Sequence, residues 1–179
     1  MKKVLHALLE VFQTVVLAVV AVLFVRAFVA QPFLVYGASM EPTFSDGDYL
    51  LVDELTPRFR ELARGEVVVF RYPGDERSFY IKRVIGLPGE HITIENDLVT
   101  VTKGGISTVL AEPYVARNLA MGNVDVALRD GEYYVLGDNR GFSFDSRSWG
   151  PLADDHVVGL VRMRLWPFSS ALAFSAPTY

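Results

Sequence analysis

Residues 11–30 read VFQTVVLAVVAVLFVRAFVA, and only Gln13, Thr14 and Arg26 among them are polar. A helix rising 1.5 Å per residue needs roughly 20 apolar residues to cross a hydrocarbon layer about 30 Å thick. The run is therefore expected to be a transmembrane helix. Lys2 and Lys3 precede it and only Arg26 lies near its far end, an asymmetry that predicts a cytoplasmic amino terminus. Residues 1–30 are then a cytoplasmic tip and single-pass anchor in the cell (plasma) membrane, and residues 31–179 an extracytoplasmic domain. A removed secretory signal is the competing reading. Cleavage there wants small residues at the last and third-last positions. Phe28 precedes Ala30, Tyr36 precedes Ala38, and Val25-Arg26-Ala27 carries Arg inside it, so the uncleaved anchor is preferred.

Of the 179 residues 51% are apolar and 21% charged, with 17 Lys plus Arg against 21 Asp plus Glu. That balance excludes a disordered chain, and the absence of any dense basic run argues against a nucleic-acid partner. Cysteine is absent, which removes thiol nucleophiles, Cys-ligated metals and disulfides. No His/Asp/Glu cluster has ligand spacing, so neither a metal nor a cofactor is expected. After residue 30 the local pattern is β: residues 48–53, 66–72, 78–85, 92–102 around a turn at Asn96-Asp97, 132–136 and 157–166 are rich in β-branched and aromatic residues and punctuated by Gly, Pro, Asn and Asp. The fold class is mainly β. The stretch from about residue 100 to 129 is more irregular and reads as a possible inserted subdomain. The apolar tail 167–179 is either a second membrane contact or a packed end.

Three segments are candidates for chemistry. Gly37-Ala38-Ser39-Met40-Glu41-Pro42-Thr43-Phe44 sets a serine between Gly and Pro, a sharp turn that presents a hydroxyl, although most such serines only shape turns. In Phe79-Tyr80-Ile81-Lys82-Arg83-Val84-Ile85 a lysine interrupts an apolar strand. Alternation puts Tyr80, Lys82 and Val84 on one face and Arg83 on the other. As a base near neutrality, Lys82 needs its pKa lowered by roughly 3 units, about 4 kcal/mol, which burial can supply; the plainer alternative is a lysine snorkelling from a sheet edge. The third segment, Gly137-Asp138-Asn139-Arg140-Gly141-Phe142-Ser143-Phe144-Asp145-Ser146-Arg147, follows an apolar strand with a density of short polar side chains. It makes a self-hydrogen-bonded loop with Asp145 and Arg147 able to pair, either as an elaborate surface turn or beneath a site.

The conjunction decides. Gly-x-Ser-Met-x-Pro-Thr, then Lys-Arg-Val-Ile-Gly-x-Pro-Gly-Glu, then Gly-Asp-Asn-Arg-x-x-Ser-x-Asp-Ser-Arg, behind one amino-terminal anchor, resembles the type I signal peptidases of bacteria over nearly the whole chain. The resemblance implies a mostly antiparallel β ectodomain of the signal peptidase I type. The implied activity is that of a membrane-bound serine endopeptidase that removes signal peptides from exported preproteins with a Ser/Lys dyad. Ser39 matches the nucleophile and Lys82 the general base. Ser143 matches the hydroxyl that orients the lysine, Asp145 and Arg147 the supporting charge pair, and Asp138, Asn139 and Arg140 the loop that supports the site. Gly37 stands where some members carry a serine as oxyanion donor, so oxyanion support must come from backbone groups, the Ser39 N–H among them, or from water. Gly141 stands where an acidic residue is common.

If residues flanking the dyad line the pockets, Val35, Met40, Phe44, Tyr80 and Ile81 make them small and apolar, fitting substrates with Ala-x-Ala before the cut. The expected partners are exported preproteins and the lipid bilayer, and a monomer suffices. Three alternatives stand beside this reading: a membrane-anchored, non-catalytic peptide-binding β-domain; a self-cleaving repressor of Ser/Lys type; and a triad built on His156 with Asp154 or Asp155.

Overall fold

Along VVVF of strand β3 (Val67–Tyr72) every residue is buried, and period-two alternation sorts them to opposite sides. Val67 and Val69 enter a cluster with Leu50, Val52 and Val161, while Val68 and Phe70 enter another with Val84, Val135 and Leu160. Each aliphatic side chain so buried contributes roughly 1.5–3 kcal/mol. A sheet covered on both faces follows from a strand apolar on both. The computed structural model describes residues 2–28, 30–115 and 122–177, without the side chains of 2, 4–5, 23–28 and 30.

Ahead of β3 come β1 (Ala30–Leu34) and β2 (Tyr49–Asp53); β4 (Asp75–Gly86) follows it in a long hairpin. A second group is β5 (His91–Glu95), β6 (Leu98–Lys103), β7 (Ile106–Val109) and β8 (Val124–Ala127), after which the chain returns with β9 (Glu132–Leu136), β10 (Leu152–Ala153), β11 (Val157–Trp166) and β12 (Leu172–Ala173). The larger sheet has the order β1-β2-β11-β3-β4-β9-β10, with β12 on β11, and the smaller the order β7-β6-β5-β8. All pairings are antiparallel. Ile85, Tyr134 and Leu136 pack with Ile92, Ile94, Val99 and Val101, so the smaller sheet is sealed onto the ends of β4 and β9.

The Asn96-Asp97 turn closes β5 on β6 with both residues at positive φ, the geometry a two-residue hairpin needs. β1 was not apparent from sequence because it is short and carries Pro32, which an edge strand tolerates. Of the stretch from about residue 100 to 129, read as a possible inserted subdomain, the end of β6, β7 and β8 belong to the smaller sheet, which begins at His91, and residues 116–121 lie outside the described residues. Helix α1 (Lys2–Phe28) takes up most of the amino-terminal apolar run, and Leu8, Phe12, Leu17 and Val22 on it are exposed. Its continuous stretch of described side chains, residues 6–22, rises only about 25 Å. Among the described residues no helix is long and apolar enough to cross a membrane. The remainder of the expected span, from residue 23, has its side chains outside the described residues.

Candidate active site

Ser39 is placed by the turn that follows β1. Gly37 has φ +85° and its N–H donates to Asp46 Oδ1 at 2.7 Å. A Cβ there would meet nothing within 4 Å, so backbone conformation rather than space calls for glycine. Next, the Glu41 N–H donates to the Ala38 carbonyl and the Phe44 N–H to that of Met40. Met40 and Phe44 are buried in the core, which leaves Ser39 half-buried at the rim. Among the described residues the Ser39 N–H donates to no protein acceptor. The backbone N–H of Gly37, which has no side chain to support an oxyanion, is itself engaged by Asp46.

Lys82 comes from the middle of β4, opposite Val68 of β3, and is only 4% exposed. Its Nζ donates to Ser39 Oγ at 2.8 Å and to the Ile81 carbonyl at 2.8 Å, and lies 5.6 Å from the centre of the Tyr80 ring. Burial lowers its pKa from 10.5 to about 8, against the raising influence of the Asp145 and Asp138 carboxylates and with help from the Arg147 cation. Desolvation wins because the amine is walled by Tyr80 and neighbouring apolar carbon while the carboxylates are engaged elsewhere.

Their partners build the third wall. Arg83, on the opposite face of β4 from Lys82, donates from Nε to Asp138 Oδ1 at 2.8 Å and from Nη2 to Oδ2 at 2.6 Å, and Thr43 Oγ1 donates to the same carboxylate. Asp145 accepts from the Gly137 N–H at 3.0 Å and pairs with Arg147 Nε at 2.7 Å. Arg147 also donates to the carbonyl of Arg140. Asn139 ties this loop to the serine turn: its N–H donates to the Ser39 carbonyl at 3.1 Å and its side-chain amide to the Ala38 carbonyl at 3.0 Å. Arg140 is buried and holds the Gly137 carbonyl through Nε.

Ser143 departs from its expected part. Its hydroxyl makes no hydrogen bond and is buried, since the Lys82 amine is directed to Ser39 and Ile81. The hydroxyl instead lies against Gly137, where an added Cβ would fall 2.2 Å from Ser143 Oγ and 2.5 Å from the Ser39 carbonyl oxygen. Gly137→Ala is therefore expected to push the loop off the serine turn and cut any catalysis by the Ser39–Lys82 pair on the order of 100-fold, a displacement near 1 Å being enough. Wild-type kcat in the purified variant would refute the tight fit.

A cleft of about 370 Å³ runs beside the pair and is lined by Val35, Ser39, Tyr80, Ile81 and Lys82. Of the expected pocket residues, Met40 and Phe44 do not line it. Met40 points into the core, and Phe44 lies there against Phe174 on another side of the turn. Sequence reasoning missed Phe33, Phe79, Phe142 and Phe144, which do line it; the last three are adjacent to residues already singled out, whereas Phe33 lies on the unrecognised β1. His156 pairs with neighbouring Asp155 at 2.8 Å and lies outside the cleft. Among the described residues no group of three or more His, Asp or Glu is arranged to hold a metal.

This arrangement defines a serine hydroxyl in contact with a buried amine beside an apolar cleft, and comparison with known proteins gives its class. The family model "Signal peptidase, peptidase S26" matches residues 8–166, and the chain belongs to that family of serine peptidases. It is 37% identical to a probable signal peptidase I-2 of Synechocystis sp., over 89% of this chain and 73% of the relative. It is 34% identical to signal peptidase I T of Bacillus subtilis, over 94% of this chain and 90% of that one. A solved signal peptidase I from Enterococcus faecalis overlaps 56% of this chain and 97% of its own at 27% identity, with a TM-score of 0.48.

Proposed function

We propose that this chain removes signal peptides from exported preproteins with Ser39 as nucleophile and Lys82 as general base. The observation that carries the reading is the 2.8 Å hydrogen bond between Lys82 Nζ and Ser39 Oγ. A lysine titrating near 8 is partly neutral at physiological pH, and the neutral amine accepts the Ser39 proton as Oγ attacks the scissile carbonyl. The Ser39 N–H donates to the developing oxyanion, a kind of contact whose loss costs about 3 kcal/mol in other serine enzymes. Protonated Lys82 then gives its proton to the leaving amine. Returned to neutrality, it takes a proton from the water that attacks the acyl-enzyme and hands it to Ser39 Oγ as the Oγ–acyl bond breaks, which restores both groups. Asp138, Asn139, Arg140, Asp145 and Arg147 hold the loop against the serine turn, and Ser143 supplies a buried hydroxyl beside it.

Val35, Tyr80 and Ile81 bound the cleft next to the dyad and suit small side chains before the cut, as in Ala-x-Ala. An extended peptide pairing along the cleft presents alternate side chains to it. Helix α1 is the anchor: its 27 residues reach about 40 Å and take in most of the apolar run. Residues 1–30 are then the cytoplasmic tip and span, and residues 31–179 the extracytoplasmic catalytic domain of a single-pass monomer. Holding the dyad at the bilayer raises the effective concentration of preproteins held there by their own apolar segments.

The test is cleavage of a preprotein with an Ala-x-Ala site by the detergent-solubilised full chain, with replacement of the alanine before the cut by a bulky residue as the specificity arm. Cutting at the Ala-x-Ala bond and loss of cutting with the bulky residue are expected. Binding without cutting would instead establish the non-catalytic peptide-binding domain. In cells the chain should stay in the membrane pellet after an alkaline carbonate wash, and its release into the supernatant would remove the anchor.

A further inference from the structure

We propose that segment 110–115, which leaves the smaller sheet after β7, is a strap that holds both arms of the dyad in register, with Glu112 and Tyr114 as positioning residues. The inference rests on the Ser39–Lys82 reading above. The strap begins in the core of the smaller sheet, where buried Leu110 donates its N–H to the Val99 carbonyl. Glu112 then reaches the loop after β9: its carboxylate accepts from Arg140 Nη2 at 2.5 Å and Nη1 at 3.1 Å, and the Arg140 side chain is only 1% exposed. Two residues on, the Tyr114 ring centre lies 3.9 Å from the Arg83 guanidinium, and its hydroxyl donates back to Glu112 Oε1 at 2.9 Å. Pro113 stands between them and fixes the backbone that separates the two contacts.

Each contact ends one step from a reacting group. Arg140 holds the Gly137 carbonyl, and its neighbour Asn139 holds the carbonyls of Ala38 and Ser39. Arg83 adjoins Lys82 on β4 and grips Asp138 of the same loop. One short segment thus braces the strand that carries the base and the loop that holds the serine turn. A guanidinium as buried as that of Arg140 needs its carboxylate close by, so loss of Glu112 shifts the loop toward another anion or toward water. The dyad hydrogen bond tolerates no such shift. The smaller sheet, which contributes no reacting group, is in this view what the strap is pulled against.

The experiment uses the full chain in detergent, with kcat, KM and pH profile measured on an Ala-x-Ala preprotein for Glu112→Ala, Glu112→Gln, Tyr114→Leu and Tyr114→Phe, and circular dichroism giving the folded fraction. Glu112→Ala should lower kcat about 100-fold, the loss expected for a displacement near 1 Å, with KM within about threefold and the pH midpoint of activity unmoved. Glu112→Gln keeps the shape and an acceptor oxygen and should recover part of that loss. Tyr114→Leu should lose about tenfold, while Tyr114→Phe keeps its ring over Arg83 and should stay within about threefold of wild type. Wild-type kcat in Glu112→Gln and Tyr114→Leu, or losses that only follow the folded fraction, would overturn the strap. Should Ser39→Ala, run alongside, cleave at the wild-type rate, the dyad reading falls and this inference with it. Inactive Ser39→Ala with fully active strap variants removes the strap alone.

Discussion

Lys82→Met should be inactive and yet more stable than wild type at pH 6 to 7. On the proposed dyad, inactivity follows because the Ser39 hydroxyl loses the group that would take its proton. In a serine peptidase, deleting the nucleophile or its base costs on the order of 10⁶ in kcat, and Ser39→Ala should fall as far. The gain in stability follows from the same burial that makes the lysine useful. Lowering its pKa from 10.5 to about 8 means that the folded state holds the proton less tightly than the unfolded state, by about 3 kcal/mol. Below pH 8 the ammonium form predominates in both states and the whole desolvation penalty weighs on the folded one. Between pH 8 and 10.5 the unfolded chain binds more protons, so wild-type stability rises with pH through that window. Methionine has nearly the same reach and no proton, so the stability difference between variant and wild type should shrink as pH climbs from 8 to 10.5. Parallel thermal unfolding of the two proteins across that range reads the difference directly. A wild type as stable as Lys82→Met at pH 6 would mean that the lysine is not desolvated.

Arg83→Ala should be the most damaging single change to the fold. Asp138 is fully buried and held by two bonds from the Arg83 guanidinium at 2.8 and 2.6 Å. Removing one member of such a pair leaves a buried charge uncompensated, at a cost of about 3–5 kcal/mol. Both residues belong to segments that carry the site, so activity should be lost together with stability. Removing both charges is a gentler change: Arg83→Met with Asp138→Leu should cost less than Arg83→Ala alone, because no orphan charge remains. Urea unfolding of the three variants separates these outcomes. A double variant less stable than Arg83→Ala would show that the pair is worth more than its packing and desolvation account allows.

Much of this was legible in the chain. Strand alternation gave Lys82 the face neighbours Tyr80 and Val84 and so admitted a buried amine, but a lysine snorkelling from a sheet edge fitted the same pattern, and only the packing of β4 between β3 and β9 decides for burial. The Gly137–Arg147 loop announced its self-bonding through its short polar side chains. Contacts between distant segments were not legible. Arg83 and Asp138 are separated by 55 positions and Glu112 and Arg140 by 28, and nothing local marks either as a pair. Met40 and Phe44 were assigned to the pocket because they adjoin Ser39, but adjacency in a turn does not say which way a side chain points, and both turn inward. β1 escaped notice because five residues containing a proline carry little strand signal, and Phe33 went with it. The Ser143 hydroxyl was expected at the lysine, yet its place is set by the close approach to Gly137, which only the packed loop reveals.

The dyad is tested most directly by the pH dependence of kcat for wild type, Ser39→Ala and Lys82→Met on one Ala-x-Ala preprotein between pH 5 and 10. Wild-type activity should rise with an apparent pKa near 8, well below that of a free lysine, and both variants should be inactive throughout. Cleavage by Lys82→Met at the wild-type rate, or a wild-type rise only above pH 10, would contradict a buried lysine acting as the base for Ser39.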